Sequence, residues 1–368
     1  MSVVSGIDTI IPGGFSRALA SRKSEARRRS GSVGLQYRKT AVAVYGSGES
    51  CRSIVWDCLR QRPRGLEIAG VFADSSEATP PMYCLGVSVG GGLDELLALA
   101  RSNEIDAVIL AIPSHAERRI KAAINALRNV AMDIYVQCDV TTGARVSAGG
   151  GALSGLPVRL VERRPLSRRA SLIKSIEDRV LAAVILLLIS PLMAAIALLI
   201  KIDSPGPIIF RQKRYGLNNS LIEIFKFRTL HVSQTDGNAD TLVTRNDARV
   251  TRVGAFLRRT SLDELPQFFN VLRGEMSVVG PRPHALAAKA GVLQYDEIVA
   301  NYGARHRVKP GITGWAQING WRGETSTTEQ IEQRVAHDFF YIANWSVLFD
   351  LRIVMRTVIG GFGGRQAY

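Results

Sequence analysis

The sequence predicts an α/β fold in three parts: a parallel sheet with helices on both faces, an apolar helix of membrane length, and a mostly helical α+β region. Three observations carry this. Short apolar runs alternate with helical stretches from about residue 40 to 165. Residues 180–200 hold no charged side chain. After Asp203 the chain becomes polar, basic and glycine-punctuated, with short helical stretches. The 368 residues suit about two domains at roughly 100–200 residues each. A hydrophobic share of 46 % supplies a packed core, and the net charge of +15 calls for an anionic partner.

The sheet is read from the order of its runs. Ala41–Tyr45 precedes Gly46-Ser47-Gly48 and a helical stretch to Arg62; a second run follows at Leu66–Phe72. A helix near Leu93–Arg101 precedes Ala107–Ile112, and another near Ala116–Arg128 precedes Ile134–Val136. Strands that alternate with helices build a parallel sheet. Gly46-Ser47-Gly48-Glu49-Ser50-Cys51 follows a strand and opens a helix, and Asp74 ends the next strand. In a Rossmann-like sheet, amides at that helix start cradle a phosphate and the acid takes a ribose hydroxyl. Gly46, Gly48 and Asp74 are therefore candidate nucleotide-binding residues. Cys51 stands where the third glycine belongs, so a purely structural sheet remains the alternative. No Tyr-x-x-x-Lys pair occurs, which argues against a short-chain dehydrogenase or epimerase site.

Ahead of the sheet, residues 1–39 carry eight Lys and Arg against Asp8 and Glu25 and read as a basic tail suited to anionic lipid. No apolar run marks a secretory signal. The four cysteines form no C-x-x-C pair and read as buried thiols.

The stretch 180–200 would measure about 31 Å as a helix, enough to cross a bilayer. Ser190 and Pro191 sit at its middle, where a proline removes a backbone hydrogen bond and kinks the helix. Both flanks are basic: Arg163, Arg164, Arg168, Arg169, Lys174 and Arg179 before it, and Lys201, Arg211, Lys213 and Arg214 after it. Lys and Arg mark the cytoplasmic side, so a simple crossing would export one positive cluster. A re-entrant helix over 171–203, kinked at Ser190-Pro191, avoids that.

The remaining span, 204–368, holds the motifs suited to chemistry. In Arg258-Arg259-Thr260-Ser261-Leu262-Asp263-Glu264-Leu265-Pro266-Gln267, apolar residues continue at helical spacing through Leu272. Ser261 and Glu264 have the spacing of a capping box, which gives a structural reading of both. The chemical reading is a phosphoryl-transfer site. A carboxylate can attack phosphorus to form an acyl phosphate, aided by a metal ion and arginines. Gly280-Pro281-Arg282-Pro283 holds an arginine in a stiff loop, fit for phosphate or a base edge or simply for a rigid turn. The stretch from Arg305-His306-Arg307 through Lys309-Pro310-Gly311 and Trp315 to Trp321-Arg322-Gly323 is dense in cations, glycine and tryptophan, which suits phosphates or a membrane interface. His306 reads as structural.

Together these motifs resemble the bacterial sugar transferases, the single-pass polyprenyl-phosphate phosphoglycosyl transferases that initiate exopolysaccharide synthesis. The resemblance runs from about Ser171 to Tyr368 and includes Lys226-Phe227-Arg228-Thr229 and Lys309-Pro310-Gly311-Ile312-Thr313-Gly314-Trp315. It implies that 204–368 is the catalytic domain, with Asp263 as nucleophile and Glu264 helping it position Mg²⁺. It further implies that Arg282, between Pro281 and Pro283, contacts the uridine diphosphate, with Arg228, Arg258, Arg305 and Arg322 as further substrate-facing cations. The expected donor is a UDP-hexose (glucose or galactose), the acceptor undecaprenyl phosphate, and the released nucleotide UMP. The expected location is the bacterial inner membrane with the soluble domains cytoplasmic, with no nucleic-acid partner and with self-association open. Larger members usually carry four further membrane helices where this sequence has its basic tail. Two rival readings are a glycosyltransferase that releases UDP and a silent membrane-anchored nucleotide-binding module.

Overall fold

The computed structural model describes residues 39–61, 65–73, 83–138, 155–232, 247–283, 301–323 and 327–360, with short pieces around 153, 289–294 and 299. The first unit is a five-stranded sheet: β1 (Thr40–Gly46), β2 (Leu66–Phe72), β3 (Ala107–Ala111), β4 (Asp133–Gln137) and β5 (Val158–Glu162). Its spatial order is β2-β1-β3-β4-β5. The first four strands run parallel, as expected; β5 lies antiparallel to β4 and goes beyond the sequence expectation.

Alternation of side chains sends Val42, Val44 and Ile109 to one face, where Ile54, Val55 and Cys58 of α1 (Gly48–Gln61) cover them. Ala43, Tyr45, Val108 and Leu110 face the other side, under Leu96 of α2 (Leu93–Arg101) and Leu127 of α3 (Glu117–Leu127). Helices thus lie on both faces. Three of the cysteines are buried and all four are free thiols. Burial, then Asp57, pushes Cys58 up to about 11.

The chain leaves the sheet into α4 (Arg168–Asp203), the one helix among the described residues long and apolar enough to cross a membrane. Ser167 caps its start, and Pro191 sits inside it without ending it. Only 11 % of its most apolar stretch is buried. Both ends are fastened to the same domain. Near the start, Asp178 accepts from Ser277 Oγ (2.7 Å) and the Val278 amide (2.9 Å). At the end, Arg228 donates to the Ser204 and Pro205 carbonyls, both at 2.7 Å.

That second domain begins with a hairpin of β6 (Ile209–Tyr215) and β7 (Leu221–Phe227). Next come α5 (Arg252–Thr260), α6 (Gln267–Arg273) and β8 (Ser277–Val279), which pairs in parallel with β9 (Gly311–Thr313). The helices α7 (Trp315–Ile318), α8 (Thr328–Ala343) and α9 (Val347–Ile359) complete it. Asn270 is fully buried and joins α6 to β7, accepting from the Phe225 amide at 2.9 Å and donating to the Glu223 carbonyl at 2.6 Å. The domain is α+β and mostly helical in its described part.

The two domains meet through the hairpin tip. Asn218 and Asn219 both take left-handed backbone angles, which asparagine tolerates better than most residues. The Asn218 carbonyl oxygen accepts from the Ala131 amide (2.8 Å), and its side-chain nitrogen donates to Asn103 (3.0 Å). Arg307 donates to Glu162 (2.7 Å) and to the Arg163 carbonyl (2.6 Å). The docking face includes the starts of β3 and β4, where Arg168 pairs with Asp106.

Candidate active site

The turn that carries the two carboxylates is made by a helix end. Thr251 caps α5, accepting from the Gly254 amide at 2.9 Å. Ser261 closes the helix in the left-handed region at φ 56°, and a single 3₁₀ turn, Leu262–Glu264, follows before Pro266 and α6. The expected capping box is not formed. The Ser261 side chain makes no cap hydrogen bond, and Glu264 turns instead to two cations. Charge-assisted bonds of that kind are roughly twice as strong as neutral ones.

Arg282 grips Glu264 with both nitrogens, at 2.6 and 3.1 Å. Lys226 Nζ reaches Glu264 at 3.1 Å and stands 3.8 Å from Asp263. Burial alone would raise Glu264, but Arg282 and Lys226 outweigh it and hold the carboxyl well below its usual range. Asp263 is raised by burial, with the Glu264 charge adding and Lys226 opposing. Two adjacent carboxylates thus differ: one is ionised and clamped, the other is more basic and less engaged. Arg258 and Arg322 also act on this pair, so the turn gathers Asp263, Glu264, Lys226, Arg258, Arg282 and Arg322. Pro281 is buried and Pro283 half-buried, holding the Arg282 loop between them. Backbone proximity fixes that loop from below: a side-chain carbon on Gly311 would stand 2.1 Å from the Gly280 nitrogen.

Two expected substrate cations do not join the cluster. Arg228 is 2 % exposed and its guanidinium holds the end of α4 through Ser204 and Pro205. Arg305 is 0 % exposed. It pairs with Asp338 at 2.6 Å and donates to Tyr302 Oη and to the Arg282 carbonyl, both at 2.8 Å. It reaches the site through the Arg282 backbone. His306 is buried too, stacked on Tyr215 at 5.7 Å and bonded to Asn219, in keeping with a structural role.

Gly46 and Gly48 lie on the sheet unit. Gly48 has φ +66°, and a side-chain carbon on Gly46 would meet the Ala111 carbonyl oxygen at 2.1 Å. Close packing of β1 on β3 therefore accounts for Gly46 without a ligand. Asp74 lies outside the described residues, as do Glu324 and Thr325. Ser190 and Pro191 are exposed on α4, with Ser190 Oγ donating to the Leu187 carbonyl at 2.9 Å.

Lys226, Arg214 and Asp338 are site or supporting residues that the sequence reading did not single out for a role. Burial, with Arg282 nearby, pushes Arg214 down to about 10. Lys226 had a readable signal: it interrupts an otherwise apolar end of β7, and a lysine so placed needs an anion beside it.

Among the described residues no group of three or more His, Cys, Asp or Glu forms a ready-made metal cage. Mg²⁺ does not require one; it is commonly held by one or two carboxylates with substrate phosphate oxygens and water. The hard oxygen donors of Asp263 and Glu264 fit that pattern, and Asp263 has the freer carboxylate.

Comparison with known proteins gives two family matches. The family described as bacterial sugar transferase matches residues 169–364, and that described as CoA-binding domain matches residues 13–137. The UDP-glucose:undecaprenyl-phosphate glucose-1-phosphate transferase of Escherichia coli (strain K12) is 45 % identical over 334 residues, 90 % of this chain and 70 % of its own length. The protein of the same name from Klebsiella pneumoniae is 42 % identical over 332 residues, again 90 % and 70 %. The undecaprenyl-phosphate glucose phosphotransferase of Komagataeibacter xylinus is 39 % identical over 328 residues, 89 % of this chain and 60 % of its own.

Proposed function

Because this chain belongs to the bacterial sugar transferase family, we propose that it transfers hexose-1-phosphate from a UDP-hexose to undecaprenyl phosphate. The single observation that carries the mechanism is the asymmetry of the carboxylate pair: Glu264 is clamped by Arg282 and Lys226, while the ion-pair partner of Asp263 among the described residues is Lys226 at 3.8 Å.

In the first step an Asp263 oxygen attacks the sugar-linked phosphorus. The bond from that phosphorus to the bridging oxygen breaks, its electron pair leaves with UMP, and a phospho-sugar aspartate remains. In the second step a phosphate oxygen of undecaprenyl phosphate attacks the same phosphorus and frees the Asp263 carboxylate. The product is undecaprenyl-diphosphate-hexose. The raised pKa of Asp263 makes it a stronger nucleophile than an ordinary carboxylate, and Lys226, Arg258, Arg282 and Arg322 offset the charge of the diphosphate. Mg²⁺ held by the two carboxylates would supply further charge neutralisation. Relatives named for UDP-glucose favour glucose over galactose.

Helix α4 holds this chemistry at the lipid surface. Its two ends are bonded to one domain, through Asp178 and Ser277 and through Ser204 and Arg228. That supports a re-entrant path, kinked at Ser190-Pro191, over a crossing that would part the ends. Both flanks are basic, which supports soluble domains on the cytoplasmic face of the inner membrane.

The test is nucleotide release from UDP-glucose with Mg²⁺ and polyprenyl phosphate, beside Asp263→Asn. UMP from the wild type alone is the expected result. UDP would indicate ordinary glycosyl transfer, and no nucleotide from either UDP-glucose or UDP-galactose would favour a silent binding module.

A further inference from the structure

A second anion-seeking feature lies apart from the carboxylate turn, where α4 meets the two domains. A cavity of about 590 Å³ opens there, bordered by Asn103 and Asp106 of the sheet unit, the first turns of α4, and Lys309 and Trp345 of the second domain. Its lining includes none of Asp263, Glu264, Lys226, Arg282 or Arg322.

Most cations along its wall have partners. Arg168 is paired with Asp106, Lys174 with Asp178 and Asp350, and Arg307 with Glu162. Lys309 is different: among the described residues no ion pair or hydrogen bond engages its ammonium. Burial lowers its pKa, and Arg179 and Lys174 add to that against Asp178. Asp178 is already bonded to Lys174, Ser277 and the Val278 amide.

Arg179 is its neighbour, just outside the cavity lining. A side-chain carbon on Gly274 would lie 2.8 Å from Arg179 Nη2 and 3.7 Å from Lys309 Nζ, so the two cations converge on one point. Among the described residues Arg179 donates only to the carbonyl and hydroxyl of Ser175, which itself lines the cavity. Two like charges held together beside a carboxylate already bonded elsewhere destabilise each other and favour an anion between them.

From this rim an apolar stripe runs along α4. Leu172, Ile176, Val180, Val184 and Leu188 follow at four-residue spacing as one inclined row that winds around α4, and each is more than half exposed. Leu172 lines the cavity and Leu188 lies within the uncharged stretch. A phosphate bound at the rim would therefore have a continuous apolar track beside it. Basic pockets on the cytoplasmic side of membrane helices recognise lipid headgroups in this way.

We propose that Arg179, Lys309 and the adjoining cavity mouth bind the phosphate of an anionic phospholipid whose acyl chains lie along the Leu172–Leu188 stripe. The bound lipid would pin the junction of the sheet unit and α4 to the membrane surface. This rests on α4 lying in lipid, as proposed above, but not on the transfer chemistry.

The test uses the full chain in phosphatidylcholine nanodiscs made with and without phosphatidylglycerol, with retained lipid counted by native mass spectrometry after extraction. The wild type retains phosphatidylglycerol, and Lys309→Gln and Arg179→Gln each lower retention about fivefold, with Arg118→Gln on the exposed face of α3 unchanged. Equal loss in Arg118→Gln, or no loss in either rim variant, would overturn the site. Displacement by inorganic phosphate would assign the cations to a soluble anion, and displacement by polyprenyl phosphate would assign them to the acceptor; either overturns the phospholipid. A chain that never enters the nanodiscs would overturn the membrane placement itself, an outcome visible before any lipid is counted.

Discussion

Replacing Asp338 with alanine isolates the part of the site that never touches substrate. Asp338 and Arg305 are 2 % and 0 % exposed and lie 2.6 Å apart. Arginine does not shed its proton in a protein, so Asp338→Ala leaves a buried cation, bonded to the Tyr302 hydroxyl and the Arg282 carbonyl, without its carboxylate. Removing one partner of such a pair costs about 3–5 kcal/mol. Denaturant unfolding in detergent should show a loss of that size. Turnover should fall as well, since Arg305 holds the backbone of the arginine that clamps Glu264. Burial raises the Asp338 pKa despite Arg305 and Arg334, so the intact pair gains little beyond its own desolvation. An apolar replacement of both, Asp338→Leu with Arg305→Met, should therefore regain most of the stability without regaining turnover, because the Arg282 carbonyl still lacks its donor. A loss under about 1 kcal/mol in Asp338→Ala would mean the pair is solvated. Full turnover in the double variant would show that Arg282 does not need the bond.

Three further expectations rest on other parts of the molecule. Asp263→Asn keeps the shape of the side chain, so it should abolish UMP release while unfolding like the wild type; substantial residual release would move the attack to another residue. Burial, with Arg305 adding, pushes His306 down to about 3 from an ordinary 6.5, so below pH 6.5 the unfolded chain takes up a proton that the folded chain refuses. Stability from this group is then lost as pH falls, by about 1.4 kcal/mol per pH unit, and His306→Phe should remove one proton from that slope between pH 6.5 and 5; unchanged slopes would mean His306 is charged in the fold. Pro191→Ala restores a backbone hydrogen bond in α4 and should move a tag at residue 1 to the opposite side from the C-terminus in a share of molecules; a tag that always stays with the C-terminus would show that the end clamps alone set the path.

The sheet unit was legible because its signal is local. Ala41–Tyr45 and Ala107–Ile112 are apolar on both faces, as strands covered on both sides must be, Leu66–Phe72 departs from that only at the exposed Glu67, and the helices between them fill the intervals. β5 was not legible: in Val158–Glu162 alternate residues face outward, and nothing nearby reveals which strand it joins. The carboxylate turn was half legible. Its residue types stood out, but Ser261 and Glu264 fit a capping box equally well by spacing, and only the approach of Lys226 and Arg282, from 38 and 18 positions away, decides against it. That Arg228 and Arg305 lie apart from the carboxylate turn was illegible for the same reason. An arginine in a basic, glycine-rich motif has the same sequence signature whether it faces a phosphate or a buried carbonyl, and here the deciding partners, Ser204 and Asp338, lie 24 positions before one and 33 after the other.

How one short turn can serve both domains follows from its geometry. Residues Tyr302–Arg307 form a 3₁₀ helix, in which successive side chains point about a third of a turn apart. Three neighbours therefore face three directions. Arg305 faces the Arg282 loop, His306 the hairpin tip at Asn219, and Arg307 the sheet unit at Glu162 and Arg163. The hairpin closes the loop, since its tip docks on Asn103 and Ala131 while its far end supplies Lys226 to Glu264. The sheet unit and the carboxylate turn are thus joined by two separate rigid links, the 3₁₀ turn and the hairpin. A displacement of one domain relative to the other must break the charged Arg307–Glu162 bond on one route and the neutral Asn218 bonds on the other, or else distort the cluster.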